Sequence, residues 1–262
     1  MRKPFAFAGI TALGFSSVAL GAGRMIAVDS SRALYEIDIT TGAKTQIGTV
    51  SANASTTAGL AYNELTGTVY LTSTGNDSVY KLDIETADAV LIGAYGDSAV
   101  VMHGLEYHNA NGKLYGVSSH NNGLYDINLT TGFATLIGTS ALTSFTNLGY
   151  DSTNNVMYAT NSSTDSLYRM DVATGGVTLI GPLNGPSNPN GLAYNRDNGL
   201  MYLVDNSTDM LYTINLVTGA ATAIGSTGTG NLLGLVYIPE IPEPAAISLL
   251  AIGVVPMLRR RK

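Results

Sequence analysis

Five tyrosines, Tyr35, Tyr80, Tyr125, Tyr168 and Tyr212, stand 45, 45, 43 and 44 residues apart. Each lies in a copy of one stretch, fullest at Leu124-Tyr-Asp-Ile-Asn-Leu-Thr-Thr-Gly-Phe-Ala-Thr-Leu-Ile-Gly138. A chain that returns to one pattern at this period folds as similar units that bury their apolar faces on their neighbours. The segments between turn signals are short and alternate apolar with polar residues, which is the pattern of strands. A period of about 44 residues built from strands predicts one propeller blade per repeat, with four strands in each.

The strands can be assigned in order. The innermost reads Gly-Leu-x-Tyr at Gly59–Tyr62, Gly104–Tyr107 and Gly191–Tyr194, with Asn147–Tyr150 as a variant. Turns such as Asn63–Gly67 and Asn195–Gly199 follow it; Asn and Gly there suit a hairpin. A short second strand comes next, as at Val69–Leu71 and Met201–Leu203. The third strand carries the repeat tyrosine and ends in Asp38, Asp83, Asn128, Asp171 or Asn215. Thr-Gly follows in four copies, where the Asx side chain can accept from turn amides and Gly takes a positive φ. The second copy has Thr86-Ala87-Asp88 instead, and a longer or differently bonded turn is expected there. The outermost strand ends in Ile-Gly at Ile47, Ile92, Ile137, Ile180 and Ile224.

Neither end of the repeat region is a whole blade. The chain enters at Met25–Val28, which aligns with a second strand, and leaves at Gly234–Tyr237, which aligns with a first. The expectation is an all-β, five-bladed β-propeller of four-stranded antiparallel blades, closed by pairing of the N- and C-terminal strands. Closure removes the free edges that an open array exposes. The repeat is similar to that of secreted bacterial propellers carrying Leu-Tyr-x-Ile-Asp-x-x-Thr-Gly-x-x-Thr-x-Ile-Gly. Such a repeat specifies architecture and says little of activity.

Composition narrows the function. With no cysteine, disulfides, thiolate metal sites and cysteine nucleophiles are excluded. Net charge is -6, yet six of the 13 basic residues crowd the termini. The stretch between the ends is therefore strongly acidic, which disfavours nucleic acid and anionic membranes. Charged residues are only 12% of the chain, and Ser, Thr, Asn and Gly take their place, as suits an extracellular β protein.

Both ends read as addresses. Arg2 and Lys3 precede an apolar stretch from Phe5 to Leu20 and small residues up to Ala22, the pattern of a secretory signal over residues 1–22. Residues 23–240 form the propeller. Residues 241–262 contain Pro242-Glu243-Pro244, then 14 mostly apolar residues from Ala245 to Leu258, then Arg259-Arg260-Arg261-Lys262. A helix of that apolar length rises about 21 Å, short of the ~30 Å hydrocarbon core. The three parts in this order resemble the PEP-CTERM sorting signal of Gram-negative bacteria. The resemblance implies an exosortase-type membrane protease as partner and transient membrane association through the C-terminal segment. It further implies export across the inner membrane to the cell envelope, cell surface or extracellular matrix, where exopolysaccharide or a surface protein is the expected partner.

Candidate chemistry lies where residues break the repeat. Fourteen of the fifteen tyrosines occupy repeat-equivalent strand positions and are expected to pack between blades. Tyr95 is off the pattern, in a connection, and is the better ligand candidate. Glu106 stands where other copies have Ala61, Gly149, Ala193 and Val236. A carboxylate on an innermost strand needs a partner or water: a structural partner such as a tyrosine hydroxyl is the favoured account, and a water-filled channel would make Glu106 the one catalytic candidate. His103 and His120 are expected in loops at one rim, with His108 in the hairpin at the far end. His103, Glu106, His120 and Tyr95 are thus the candidate binding residues. No cofactor and no metal is expected. Acidic and amide residues in the loops between second and third strands, such as Asn161 and Asp165, read as turn caps rather than Ca²⁺ ligands. No nucleophile elbow, His-Glu-x-x-His or phosphate loop occurs, and Gly228-x-Gly230 precedes no helix. The favoured function is a non-enzymatic binding or scaffold module; the alternative is a secreted hydrolase or lyase acting on polysaccharide with a channel carboxylate.

Overall fold

Twenty strands alternate with tight turns through a computed structural model that describes residues 23–239. The expected signal over residues 1–22 and the sorting residues Pro242, Glu243, Pro244, Arg259, Arg260 and Arg261 lie outside the described residues. The first blade holds β1 (Arg24–Asp29), β2 (Ala33–Ile37) and β3 (Lys44–Thr49), completed by β20 (Leu232–Ile238). A short 3₁₀ turn, Ala52–Ala54, leads to the second blade. That blade is β4 (Thr57–Asn63), β5 (Thr68–Ser73), β6 (Ser78–Leu82) and β7 (Ala89–Ala94). The third is β8 (Met102–His108), β9 (Lys113–Ser118), β10 (Gly123–Ile127) and β11 (Ala134–Thr139). The fourth is β12 (Phe145–Asp151), β13 (Val156–Asn161), β14 (Ser166–Met170) and β15 (Val177–Pro182). The fifth is β16 (Pro189–Asn195), β17 (Leu200–Asp205), β18 (Met210–Ile214) and β19 (Ala221–Ser226).

Every blade is a four-stranded antiparallel sheet, and the fold is the five-bladed propeller that the repeat predicts. Closure occurs where expected. Strand β20 pairs with β1 in the register Met25↔Tyr237, Ile26↔Val236 and Ala27↔Leu235. The innermost strands β4, β8, β12, β16 and β20 stand next to one another around the axis.

The apolar residues form five clusters, one at each junction of neighbouring blades. The strand alternation that puts Leu60, Leu71 and Tyr80 on one face of the second blade packs them on Ile26, Val28 and Leu34 of the first. All fifteen tyrosines except Tyr35 and Tyr194 are buried. Their hydroxyls reach turns: Tyr125 meets Asn121 at 2.6 Å, Tyr168 meets Thr164 at 3.0 Å and Tyr212 meets Thr208 at 3.0 Å. These three tyrosines fill the space between blades and each latches a loop four residues earlier.

Two irregularities recur. In each outer strand one residue is skipped by the pairing, as where Leu124 faces Gly138 but Tyr125 faces Leu136. The isoleucine of each Ile-Gly pair is thus the extra residue of a β-bulge. In β8 a further bulge falls at His103, between Met102↔Ser118 and Gly104↔Val117. The turn at Thr86-Ala87-Asp88 is not longer than its counterparts. Asp83 N donates to Asp88 O at 2.9 Å, just as Asp38 N donates to Ala43 O at 2.9 Å. Ala87 adopts the positive φ, 61°, that glycine takes elsewhere.

Candidate functional site

The innermost strands run side by side, so residues near their starts gather at one end of the axis and residues near their ends at the other. Glu106 belongs to the second group. It is half-buried and lines a cavity of about 30 Å³ with Tyr62, Glu64, Asn109, Tyr150 and Tyr237. That volume admits a water molecule, not a sugar. One carboxyl oxygen of Glu106 accepts from Tyr107 N–H at 2.9 Å and the other from Tyr150 N–H at 3.1 Å. Burial pushes the Glu106 carboxyl up to about 8, with the nearby Glu64 adding to the effect and the two amides opposing it. Desolvation outweighs the two amide hydrogen bonds, and no cation among the described residues offsets it. At neutral pH the group therefore holds its proton.

The mouth beside Glu106 is covered by the hairpins that follow the innermost strands. Arg196 of the fifth blade pairs with Glu64 of the second, across the first blade between them. Glu64 N–H donates to Asn109 Oδ1 of the third blade at 3.1 Å. Tyr237 donates to Asp197, and the Thr153 and Tyr194 hydroxyls bond at 2.9 Å. These contacts tie the hairpins of the second to fifth blades, and Tyr237 on the innermost strand of the first, into a polar belt. Glu64 and Arg196 were not among the sequence candidates. Their signal was opposite charge at the same hairpin position of two repeats, which shows only once the ring brings those positions face to face.

His103 and His120 gather at the opposite end. His103 is not in a loop: it is the bulge residue of β8 and lines a space of about 10 Å³ near Asn147, Gly191 and Leu233. A bulge re-aims a side chain. His103 Nδ1 lies 2.9 Å from Ser119 Oγ, and His120 Nδ1 lies 3.3 Å from the same oxygen. The serine thus joins the two imidazoles that the sequence singled out. A hydroxyl has one proton, so the chain runs from a His120 N–H through Ser119 to the His103 lone pair, or the reverse. Burial lowers the His103 pKa and His120 lowers it further. Glu106 is three residues along β8, roughly 10 Å from His103 by strand rise, so acid and imidazoles do not converge on one reacting atom.

Tyr95 does not offer a ligand a ring face. It is fully buried, and its hydroxyl donates to Ser78 O at 2.9 Å. Its place off the repeat reflects a side chain turned inward from the connection between β7 and β8 to fill the junction of the second and third blades. Burial holds its hydroxyl well above the usual tyrosine pKa. The loops between second and third strands act as turn caps. Asn161 Oδ1 accepts from Ser163 and Thr164 amides at 2.9 and 3.0 Å, and Asp205 Oδ1 accepts from Ser207 and Thr208 amides at 3.1 and 2.9 Å. Among the described residues, no group of three or more His, Asp or Glu side chains converges as a metal site.

Similar structures share the architecture at low identity. A chain of the nidogen/laminin complex is 15% identical with a TM-score of 0.58, and the match covers 83% of this chain and 85% of that one. A Bacteroides thetaiotaomicron protein of unknown function is 17% identical with a TM-score of 0.62, covering 85% of this chain and 64% of that one. A symmetrical protein from a study of de novo evolutionary emergence is 21% identical with a TM-score of 0.56, covering 84% of this chain and all of the other. These likenesses carry the fold alone. Comparison with curated proteins finds no match. A family model described as a repeat of unknown function, DUF6923, matches residues 93–229, about half of the chain, and the protein belongs to that family.

Proposed function

We propose that this protein is an exported propeller that binds or scaffolds through its outer surface, and that its C-terminal segment sorts it to the envelope or extracellular matrix of a Gram-negative bacterium. The observation that carries the binding reading is the small size of the axial spaces. Glu106 faces about 30 Å³ and His103 about 10 Å³, at opposite ends. Small-molecule sites are typically ten times larger. A partner then has to be met on the rims, in the grooves between blades or along the outer strands. Polysaccharide is the partner class that the matrix destination implies, and a surface rich in amides and hydroxyls suits it.

The sorting half of the proposal rests on the sequence of residues 242–262. It is tested by expressing the full chain in a Gram-negative bacterium with an exosortase-type system, beside a variant with Pro242, Glu243 and Pro244 all changed to alanine. Shortened protein at the surface or in the matrix is expected only from the unaltered chain. Identical processing and location of the two would overturn it. The binding half is tested by retention of the secreted protein on the host's native exopolysaccharide; passage without retention would sink that half.

A second reading has one observation in its favour. A carboxyl that holds its proton at neutral pH is equipped as a general acid. On this reading the protein is a polysaccharide hydrolase or lyase that opens the Glu64–Arg196 pair to admit substrate to Glu106. Turnover of a matrix polysaccharide that collapses in Glu106→Gln would support it, and turnover unchanged in that variant would end it.

A further inference from the structure

We propose that the junction of the third and fourth blades holds a site for a soft monovalent metal ion, Cu(I) or its analogue Ag(I), formed by the His108 imidazole and the thioethers of Met157 and Met170. The proposal goes beyond the binding and sorting reading above and does not depend on it.

The first observation is a row of side chains set by strand register. In each blade the tyrosine of the innermost strand faces a residue of the second strand, which faces one of the third, so all three lie on one face of the sheet. The row is Tyr237–Met25–Ile37 in the first blade and Tyr62–Val69–Leu82 in the second. It is Tyr107–Leu114–Ile127 in the third and Tyr194–Met201–Ile214 in the fifth. In the fourth it is Tyr150–Met157–Met170, and only there do two sulfurs stand in register. The Cβ atoms of such a pair are about 5 Å apart, and two unbranched, flexible side chains can turn both sulfurs onto one ion.

The second observation is the residue that the third blade sets over this row. The innermost strand ends in Asn63, Asp151 or Asn195 in the second, fourth and fifth blades. Its side-chain oxygen there accepts from the turn amide two residues on, at 2.9 to 3.0 Å. The third blade has His108 instead, and backbone bonds from Asn111 and Gly112 to His108 O close the turn alone. The imidazole stacks on Tyr150, ring centres 4.1 Å apart and 28° from parallel, which puts it at the head of the methionine row. His108 Nδ1 is buried and has no hydrogen-bond partner among the described residues. Burial disfavours a charged ring, and the one group that favours protonation is the residue's own carbonyl, which only Nδ1 can approach. The ring is therefore neutral with its proton on Nδ1, and the Nε2 lone pair is left for a ligand.

His108, Met157 and Met170 line one groove of about 300 Å³, although each is more than nine-tenths buried. Asp171 lines it too. Arg169, on the same strand as Met170, alternates to the other face beside its cross-strand partner Tyr158, so its charge does not oppose a cation on the methionine face. The donors select the ion. Ca²⁺ and Mg²⁺ take oxygen ligands, whereas thioether sulfur is a soft donor that selects Cu(I). No cysteine is present to compete. Histidine and carboxylates do not converge in threes among the described residues; here two sulfurs complete the set around a single imidazole.

The test is titration of the secreted protein with Cu(I), kept reduced by ascorbate, against a chromophoric Cu(I) chelator, and with Ag(I) followed through the methionine methyl signals in NMR. One equivalent is expected to bind. The Met157 and Met170 methyl signals should move, and those of Met25, Met102, Met201 and Met210 should not. Met157→Leu and Met170→Ile install the residues of the third blade, and His108→Asn installs that of the second. Each should weaken Cu(I) binding at least tenfold, with the thermal melt of the ion-free methionine variants little changed because the swaps nearly conserve volume. Excess Ca²⁺ should not displace the ion. No stoichiometric binding, unchanged affinity in any of the three variants, or Ag(I) shifts that spare Met157 and Met170 each overturns the site. Loss of binding in His120→Gln with full binding in Met157→Leu would place the ion at the other rim and overturn it as well.

Discussion

Gly132 lies against Gly93 so closely that a methyl group on Gly132 would stand 2.3 Å from the Gly93 carbonyl oxygen. Gly132 ends the Thr-Gly turn of the third blade, and Gly93 belongs to the Ile-Gly pair of the second. The contact recurs around the ring: Gly42 meets Gly225, Gly175 meets Gly138 and Gly219 meets Gly181. The two glycines of the repeat are thus two halves of one joint between blades. Gly132→Ala would need both a positive φ, 77° in the native turn, and a shift of backbone. A loss of about 2–4 kcal/mol is expected, from the left-handed conformation and overpacking together. Gly228→Ala is the control: its φ is 67° and a methyl there meets nothing within 4 Å, so only the conformational cost of about 1 kcal/mol remains. Urea midpoints of the two variants should separate accordingly.

Glu106 should make the protein less stable as pH rises. Its folded pKa, about 8, exceeds the ordinary 4.5, so between those values the folded state holds a proton that the unfolded chain has lost. The contribution is full below pH 4.5 and is lost as pH rises to about 8. Glu106→Gln should flatten that slope and gain roughly 2 kcal/mol at pH 8, allowing for water in the cavity. Urea melts from pH 4.5 to 8.5 measure it, and parallel slopes for both proteins would refute the assignment.

His103 should titrate below the usual histidine range because of its burial and because His120 opposes a second positive charge. His120→Gln should therefore raise the His103 pKa, read from its imidazole proton shifts in NMR. A depressed histidine pKa favours the folded state as pH rises through the unfolded value near 6.5. Its slope opposes that of Glu106, so the two variants must be measured separately.

Tyr95→Phe should cost about 1 kcal/mol, the net worth of one buried hydrogen bond to Ser78. Ligand retention should not change, because the ring reaches no surface. A thermal melt beside a matrix-retention assay separates these outcomes.

The blades, their strands and the closing pair were legible because period and strand alternation are local properties of the sequence. Tyr35 and its four counterparts set the phase, and the partial repeats at Met25 and Gly234 announced the closure. What was missed depends on register or on distant juxtaposition. His103 reads as a loop residue until the pairing of β8 with β9 skips it. Ile-Gly reads as a strand end until the neighbouring blade brings its own glycine against it. Glu64 and Arg196 are 132 residues apart, and only the curvature of the ring joins them. Ala87 keeps the length of the common turn, at a conformational cost that glycine avoids elsewhere, but its turn is bonded differently: the bond from the positive-φ residue to the Asx carbonyl that the other four copies make is absent.

The strand that joins β1 is the last of the described strands in chain order. Until Leu232–Ile238 has emerged, the first blade lacks its innermost member and β1 shows an unpaired edge, a template for misassociation. Synthesis through Ile238 is thereby a condition of the finished ring, and a product cut short before it should betray itself by aggregation. The same arrangement sets a boundary for trimming: a cut beyond Pro239 spares the joint, whereas a cut a few residues earlier removes the partner of Arg24 and Met25 and unlocks the molecule.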